Sequence, residues 1–251
     1  MSLIRPFAGL RPTDATTAQV IAPPYDVIST AEARQLAAGQ PYSFLHVSRA
    51  EIDLPPQTGR HAPAVYAQAA TYFTVLCDQG VLQQDPTPAF YVYRLTQGVH
   101  QQTGIMATVS IAAYLAQRVQ RHEFTRPDKE DDRLHHMEAL NAQTGPAFLA
   151  YPPDVTLARW LAAWAARHPD ADAELQGVRH QLWRVTETEA IAALQQRIEQ
   201  MPKLYIADGH HRTAAAARLG QARGLEGAAG YFLAGLFPSD QLQILAYHRI
   251  V

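Results

Sequence analysis

Hydrophobic and polar positions follow two different periods along this chain, which predicts a mixture of helices and strands. Helical spacing or helix-capping signals mark six segments: residues 29–38, 65–76, the stretch that begins at Pro127, 154–168, 191–198 and 214–217. Short apolar or alternating runs predict strands at residues 43–47, 90–95, 105–110, 148–151, 182–185 and 204–207, with a hairpin turn around Gly98. Because the two kinds of segment alternate, we expect a mixed α/β chain of the α+β class.

Capping residues and a proline set the expected starts of three helices. Ser29 and Glu32 have the spacing of a capping box, and Thr186 and Glu189 repeat that spacing. Pro127 suits a first helical turn because the amide hydrogen that proline lacks would have no partner there. These local signals predict helix starts near residues 30, 127 and 187.

Composition narrows the class of protein. Of the 251 residues, 47% are apolar, which is enough for one large core or two small domains. The chain has 21 basic and 23 acidic side chains and a net charge of −2, so it has no positive surplus for non-specific binding to nucleic acid. The single cysteine, Cys77, excludes an internal disulfide and an all-cysteine zinc site. The chain has no apolar run of about 20 residues and no cleavable leader, so we expect a cytoplasmic protein without a membrane partner.

Side chains that can bind a ligand are most concentrated directly after the predicted strand 204–207. They lie in the sequence Asp208-Gly209-His210-His211-Arg212, called here the 208–212 turn. A helix start leaves backbone N–H groups unpaired and carries the positive end of the helix dipole, so it attracts phosphate. Gly209 lets the backbone approach a ligand, Arg212 can bind phosphate oxygens in pairs, and the histidines add donors. Asp208 can hold Mg²⁺ or orient a histidine. The alternative is an ordinary helix start with solvated polar side chains.

A second polar cluster, called here the 121–126 loop, precedes the helix predicted at Pro127. Its Glu123 is a candidate general base that could deprotonate a hydroxyl near a bound phosphate. Candidate contacts for a substrate or anion are Arg121, His122, Thr125 and, from a Pro-Pro-Tyr-Asp turn near the N-terminus, Asp26. An ordinary solvated loop is the alternative. In residues 130–138, Glu130 with Arg133 and Asp132 with His136 have helix-pair spacing, which predicts a solvated face.

Stretches spread over nearly the whole chain resemble one bacterial and archaeal family. They are Arg5-Pro6-Phe7, Leu10-Arg11-Pro12, Ala22-Pro23-Pro24-Tyr25-Asp26-Val27, Tyr42-Ser43-Phe44-Leu45-His46-Val47, Arg121-His122-Glu123, Thr125, Lys129, Asp132-Arg133, Ala207-Asp208-Gly209-His210-His211-Arg212 and Tyr247-His248-Arg249. On these stretches the chain is identified as a member of domain of unknown function one-thousand-and-fifteen. Members of this family are usually longer, so we expect a further C-terminal region beyond Val251.

The 208–212 turn also resembles a signature of the ParB/sulfiredoxin superfamily, in which a glycine-led turn at a helix start holds nucleotide phosphates. Its closest similarity is to the free serine kinase. This resemblance implies a ParB/sulfiredoxin-like core, with Glu123 as the catalytic carboxylate and Asp208 as the acid beside Mg²⁺ and phosphate. It further implies that Gly209, His210, His211 and Arg212 hold the phosphates of ATP or ADP. Sulfiredoxin chemistry itself is excluded because it needs a thiol at the position of His210.

The same resemblance divides the chain into three parts. Residues 1–104 form a family-specific N-terminal α/β region, residues 105–225 form the core, and residues 226–251 begin a C-terminal region. The interval between Glu123 and Asp208 is longer than in the kinase, which implies an insertion at about residues 147–200 of the core.

Two functions follow from this resemblance. The first is a nucleotide-dependent, serine-kinase-like phosphotransferase that acts on the hydroxyl of a small molecule. The alternative is a non-catalytic, nucleotide-binding regulatory module of ParB type, in which CTP or ATP switches dimerisation, so a homodimer stays open. A third hypothesis, a metal-dependent hydrolase, would draw ligands from His122, His135, His136, His210 and His211. The chain lacks the helical two-histidine spacing typical of zinc enzymes, which disfavours that hydrolase.

Overall fold

The computed structural model describes residues 2–243, and eleven strands and nine α-helices form within that part of the chain. The strands are β1 (Ile4–Arg5), β2 (Leu10–Pro12), β3 (Leu82–Gln84), β4 (Phe90–Gln97), β5 (His100–Ser110), β6 (Val119–Gln120), β7 (Ala147–Tyr151), β8 (Ala171–Leu175), β9 (Val178–Val185), β10 (Leu204–Asp208) and β11 (Tyr231–Pro238). The helices are α1 (Thr17–Val20), α2 (Thr30–Ala37), α3 (Leu45–Ser48), α4 (Pro63–Asp78), α5 (Ile111–Leu115), α6 (Pro127–Leu140), α7 (Val155–Trp164), α8 (Thr188–Glu199) and α9 (His210–Ala222). This mixture confirms the predicted α+β class.

Nine of the strands form one mixed sheet in the order β6-β10-β7-β11-β5-β4-β9-β8, with β1 paired to β5 outside that path. Strand β10 runs parallel to β6 and antiparallel to β7, while β7 runs parallel to β11. Strands β2 and β3 form a separate antiparallel pair. Because β6 and β10 are parallel, their carboxyl ends lie at the same edge of the sheet. The loop after β6 and the turn after β10 therefore meet.

The largest apolar core packs helices against the nine-stranded sheet. Val92, Ile105 and Leu149 from the sheet share this core with Leu161 of α7 and Ile198 of α8, and all five side chains are fully buried. Burying each side chain of this kind stabilises the fold by about 1.5–3 kcal/mol. Two smaller clusters lie around the N-terminal helices α2, α3 and α4.

Helix α9 is the element that carries the 208–212 turn into the core. Its residues 214–217 are four consecutive alanines, and all four are buried. Their short side chains let α9 lie close to β7 and β11. Helix α6 packs against α9 on one side and against α4 on the other. The start of α9 is thus held rigidly between the sheet and α6.

Several local predictions are confirmed in atomic detail. Ser29 Oγ accepts a hydrogen bond from the Glu32 N–H at 3.2 Å, and the Glu32 carboxylate accepts one from the Ser29 N–H at 2.7 Å. This is the predicted capping box of α2. Pro127 is in the first turn of α6. Strands β4 and β5 pair antiparallel around Gly98 as the predicted hairpin.

The strand predicted at residues 43–47 is wrong, because these residues lead into the short helix α3. Leu45 packs into one small cluster and Val47 into the other. Two apolar residues separated by one position resemble the alternating pattern of a strand. Here the backbone is helical, and the two side chains point to different clusters. The capping box predicted for Thr186 and Glu189 is absent within residues 2–243. The N-cap residue of α8 is instead Glu187, and its carboxylate binds Arg167 at 3.1 Å.

The solvated face predicted for residues 130–138 is wrong as well, because α6 lies between two other helices. Asp132 is buried and accepts hydrogen bonds from Tyr66 at 2.9 Å and from His61, whose Nδ1 lies at 2.7 Å. His136 is buried too, and its Nε2 lies 3.0 Å from the Val47 carbonyl oxygen. Glu130, which was predicted to pair with Arg133, instead forms an ion pair with Arg218 of α9, whose Nη1 lies 3.3 Å from Glu130 Oε2.

The nine-stranded sheet contains strands from all three predicted parts of the chain. Strands β1 and β4 belong to residues 1–104, β5 crosses the boundary at 104, and β11 lies within residues 226–251. The three-part division and the ParB/sulfiredoxin-like core stay predictions. None of the helices in residues 2–243 combines the length and the apolar character needed to span a bilayer. The motif at 247–249 lies outside the described residues.

Candidate functional site

The 208–212 turn joins the end of β10 to the start of α9 through a glycine in a left-handed conformation. Gly209 is the N-cap of α9 with φ 90° and ψ 30°. A Cβ at this position would lie 3.1 Å from Ala147 Cα and 3.1 Å from Arg212 Nε, so only glycine fits without a shift. Within residues 2–243 no side chain caps this end of α9, so its first backbone N–H groups have no side-chain partner there.

Glu123 lies beside this turn, although the two are far apart in sequence. Leu204 of β10 pairs with Val119 of β6, and this parallel pairing places the 121–126 loop at the start of α9. Glu123 Oε2 is 3.6 Å from Nδ1 of His210, which is near contact but too long for a direct hydrogen bond. The Glu123 side chain is 59% exposed, whereas the His210 side chain is 4% exposed. The candidate base therefore faces solvent next to a buried imidazole.

The two histidines hold the 121–126 loop against α9. His210 Nε2 accepts the backbone N–H of His122 at 3.4 Å, and His211 Nε2 accepts the backbone N–H of Arg126 at 3.1 Å. Because Nε2 is the acceptor, a neutral ring carries its proton on Nδ1. Burial lowers the pKa of His210, and the adjacent His122 lowers it further against the opposing effect of Glu123. His210 is thus neutral and directs Nδ1–H toward the Glu123 carboxylate.

Arg212 turns its guanidinium back onto the turn. One Nη donates to the Pro146 carbonyl oxygen at 2.6 Å, and the other forms an ion pair with Asp208. The Arg212 side chain is 13% exposed, while that of Asp208 is 67% exposed. A phosphate that binds the uncapped amides must share this guanidinium with Asp208 or displace it. Gly145 leaves room for the arrangement, since a Cβ there would lie 3.1 Å from Arg212 Cδ.

Asp208 is the candidate metal ligand of the site. Among residues 2–243, no group of three or more His, Cys, Asp or Glu side chains could hold a metal ion. Mg²⁺ commonly takes one or two carboxylates and completes its shell with phosphate oxygens and water. Asp208, an exposed carboxylate at the start of α9, would supply one such ligand.

The other predicted contacts are placed as follows. Arg121 and His122 are exposed in the loop, Thr125 is half-buried, and the His122 ring packs edge-on against His210 with centroids 4.5 Å apart. Asp26 is exposed and, among the described residues, does not line the cavity next to Arg212. Its neighbour Tyr25 does. Cys77 is half-buried in α4, and burial raises the pKa of its thiol, which disfavours a thiolate nucleophile.

Sequence reasoning missed a cavity of about 490 Å³ that Arg212 also lines. Its walls come from the turn at residues 22–25, from α6, from strands β4, β8 and β9, and from residues 144–146. These segments are scattered along the chain, so no local pattern marks the cavity. Parts of several stretches quoted in the sequence analysis do line it, among them Ala22-Pro23-Pro24-Tyr25, Phe44 and Arg133.

Comparison with known proteins identifies one family. No curated protein and no solved structure matches the chain significantly. The model of the family described as "Protein of unknown function (DUF1015)" matches residues 4–251. That match covers all of the described elements from β1 onward. The chain therefore belongs to DUF1015, a family whose function is unknown.

Proposed function

We propose that this protein is a nucleotide-dependent phosphotransferase that acts on the hydroxyl group of a small molecule. The observation that carries the proposal is the position of Glu123, whose carboxylate lies 3.6 Å from His210 at the uncapped start of α9. A general base and a phosphate-binding helix start are the two parts that phosphoryl transfer needs from a protein, because its catalysis is mainly positioning and charge neutralisation.

Each residue of the site has a defined task in this proposal. The first N–H groups of α9 and the Arg212 guanidinium bind the phosphates, and Asp208 holds Mg²⁺. ATP or ADP with Mg²⁺, when bound, supplies the phosphoryl group. Glu123 accepts the proton of the acceptor hydroxyl while that oxygen bonds to phosphorus and the bridging P–O bond breaks, leaving the shortened nucleotide. We place this reaction in the cytoplasm, where these nucleotides are abundant.

His210 and His211 are positioning residues in this scheme. Both use Nε2 to hold backbone N–H groups of the 121–126 loop, so neither offers that nitrogen to phosphate. The remaining Nδ1–H of His210 points toward the Glu123 carboxylate, 3.6 Å away. This differs from the simple expectation that both histidines are phosphate donors.

The test compares Glu123→Gln with Glu138→Gln, an exposed glutamate on α6 that serves as the matched control. Nucleotide binding is measured by calorimetry with Mg²⁺, and transfer is measured as phosphorylated product from a pool of hydroxyl-bearing metabolites. We expect Glu123→Gln to bind nucleotide as tightly as the unaltered protein and to lose about 10²–10⁴-fold in transfer. Unchanged transfer in Glu123→Gln would remove the proposed base.

The same measurements distinguish the regulatory alternative. A regulatory module of ParB type would bind nucleotide, change its assembly state and form no phosphorylated product. Following the molecular mass by light scattering during the nucleotide titration supplies that readout.

A further inference from the structure

We propose that the cavity of about 490 Å³ next to Arg212 binds a small organic anion with an apolar body. As the site of the phosphoryl acceptor, it rests on the proposed function, but its binding of an anion stands on separate observations. These are the charged side chains of its walls, the fixed geometry of Arg133, and the contact between Tyr93 and His180.

The first observation is the one-sided charge of the cavity. Arg11, Arg133 and Arg212 line it together with two histidines, and within residues 2–243 no aspartate or glutamate does. Each of the three guanidiniums is also paired with a carboxylate that lies outside these walls, Asp85, Asp132 or Asp208, so among the described residues the walls present guanidinium N–H donors and no carboxylate. Such a cavity favours an anion and disfavours a cation.

The second observation is that Arg133 is held rigidly with one edge free. Its Nε and Nη2 donate to the same Asp132 oxygen, at 2.9 and 2.5 Å, and its guanidinium lies 3.9 Å above the Tyr25 ring. Among the described residues, Nη1 has no hydrogen-bond partner, although the side chain is only 12% exposed. A fixed guanidinium with free N–H groups binds an anion without losing side-chain entropy.

The third observation is a donor supplied by His180. The Tyr93 hydroxyl lies 2.6 Å from His180 Nδ1, and burial raises the pKa of Tyr93 to about 12, so the tyrosine keeps its proton and is able to donate it to that nitrogen. Burial lowers the pKa of His180, so the ring is neutral, and in the tautomer that accepts the Tyr93 hydroxyl on Nδ1 its hydrogen is on Nε2. The dyad therefore adds an N–H donor to a cavity that already contains arginines.

The remaining walls of the cavity are apolar, and from them we infer that the ligand has an apolar part. Pro23, Pro24, Phe44 and Met137 line the cavity, and none of them can hydrogen-bond through its side chain. Burial, with Arg133 nearby, lowers the pKa of His136 to about 4, so this histidine adds no charge near neutral pH. A fully hydrated ion such as free phosphate would leave these walls unused, whereas an aromatic or aliphatic acid would cover them.

The test uses benzoate, phenyl phosphate and uncharged benzamide as probes of the full chain, with binding detected by saturation-transfer NMR and no nucleotide present. Ala171→Trp fills the cavity from β8, and Ala163→Trp places the same side chain on an exposed position of α7 as the control. Arg133→Lys keeps the charge opposite Asp132 but loses the planar fork. We expect benzoate, phenyl phosphate or both to bind the unaltered protein and the control.

The expected result is that Ala171→Trp abolishes binding of the anionic probe and that Arg133→Lys weakens it about tenfold. Preference for benzoate over phenyl phosphate identifies a carboxylate site, and the reverse preference identifies a phosphate-ester site. Equal binding of benzamide, or anion binding that survives Ala171→Trp, overturns the proposal. Because no nucleotide is used, loss of anion binding with intact phosphoryl transfer refutes only this site, and anion binding without any transfer refutes only the proposed function.

Discussion

The carboxylate of Asp208 and the guanidinium of Arg212 form an ion pair across the first turn of α9, at the point where a phosphate would bind. The same guanidinium donates to the Pro146 carbonyl oxygen at 2.6 Å, which fixes its plane. Asp208 therefore competes with a bare anion for Arg212, but it would cooperate with an anion that brings a magnesium ion. This opposition makes the role of each residue measurable.

Replacing Asp208 with Asn should have opposite effects with and without magnesium. With a chelator present, ADP should bind up to about fivefold more tightly, because an exposed ion pair contributes at most about 1 kcal/mol. With Mg²⁺ present, ADP should bind more weakly, because the amide is a poorer magnesium ligand than the carboxylate. Calorimetric titration measures both. The control is Asp14→Asn, at an exposed position distant in sequence from the 208–212 turn. An equal loss of ADP affinity with and without Mg²⁺ in Asp208→Asn would contradict the role assigned to Asp208.

Arg212→Ala should weaken nucleotide binding about tenfold or more, because a charge-assisted hydrogen bond is worth about 1.5–3 kcal/mol. Arg212→Lys should not restore it, since an ammonium cannot bind the Pro146 carbonyl and an anion in the same plane. The control is Arg223→Ala at the end of α9, where the side chain donates to Asn141 at 3.0 Å. Affinity for Mg²⁺–ADP that is unchanged in Arg212→Ala would remove this residue from the site.

Gly209→Ala should destabilise the protein by more than Gly177→Ala does. Both glycines have positive φ, 90° and 77°, so both substitutions strain the backbone by about 1 kcal/mol. Only at Gly209 would the new Cβ press on Ala147 Cα and on Arg212, whereas nothing lies within 4 Å of a Cβ at Gly177. We expect a total cost of about 2–4 kcal/mol at Gly209, measured by urea unfolding. Equal costs at the two positions would show that the close packing is not required.

His136 should make stability depend on pH between about 4 and 6.5. Its pKa is about 4 in the fold and about 6.5 in an unfolded chain, so the unfolded state binds more protons in this interval. The contribution is fully present above pH 6.5 and is lost as the pH falls toward 4, with an upper limit of about 3 kcal/mol. His136→Gln should reduce this slope, whereas His135→Gln, at the exposed neighbouring position, should retain it. Urea unfolding at pH 4.5 and 7 tests both, and equal slopes in all three proteins would contradict the prediction.

The sequence predicted correctly those helix starts that are stabilised by residues adjacent to one another in the chain. The Ser29–Glu32 capping box needs only four consecutive residues, and Pro127 needs only its own ring, so both appear where the sequence indicates. The prediction for residues 43–47 failed because Leu45 and Val47 are buried by two different clusters, whose other members are distant in sequence. Burial by distant partners leaves no local pattern.

The sequence by itself determined the chemistry of the 208–212 turn, because strand, glycine, helix start and charged side chains are all contiguous there. The resemblance implied that Glu123 acts at this turn, and the structure gives its distance of 3.6 Å from His210. Only the tertiary structure decided that the two histidines use Nε2 to bind the loop and that Arg212 also borders a cavity. The physical reason is that these contacts depend on the parallel pairing of β6 with β10 and on the packing of α6. These contacts join segments that are distant in sequence, so they form only when the whole sheet assembles.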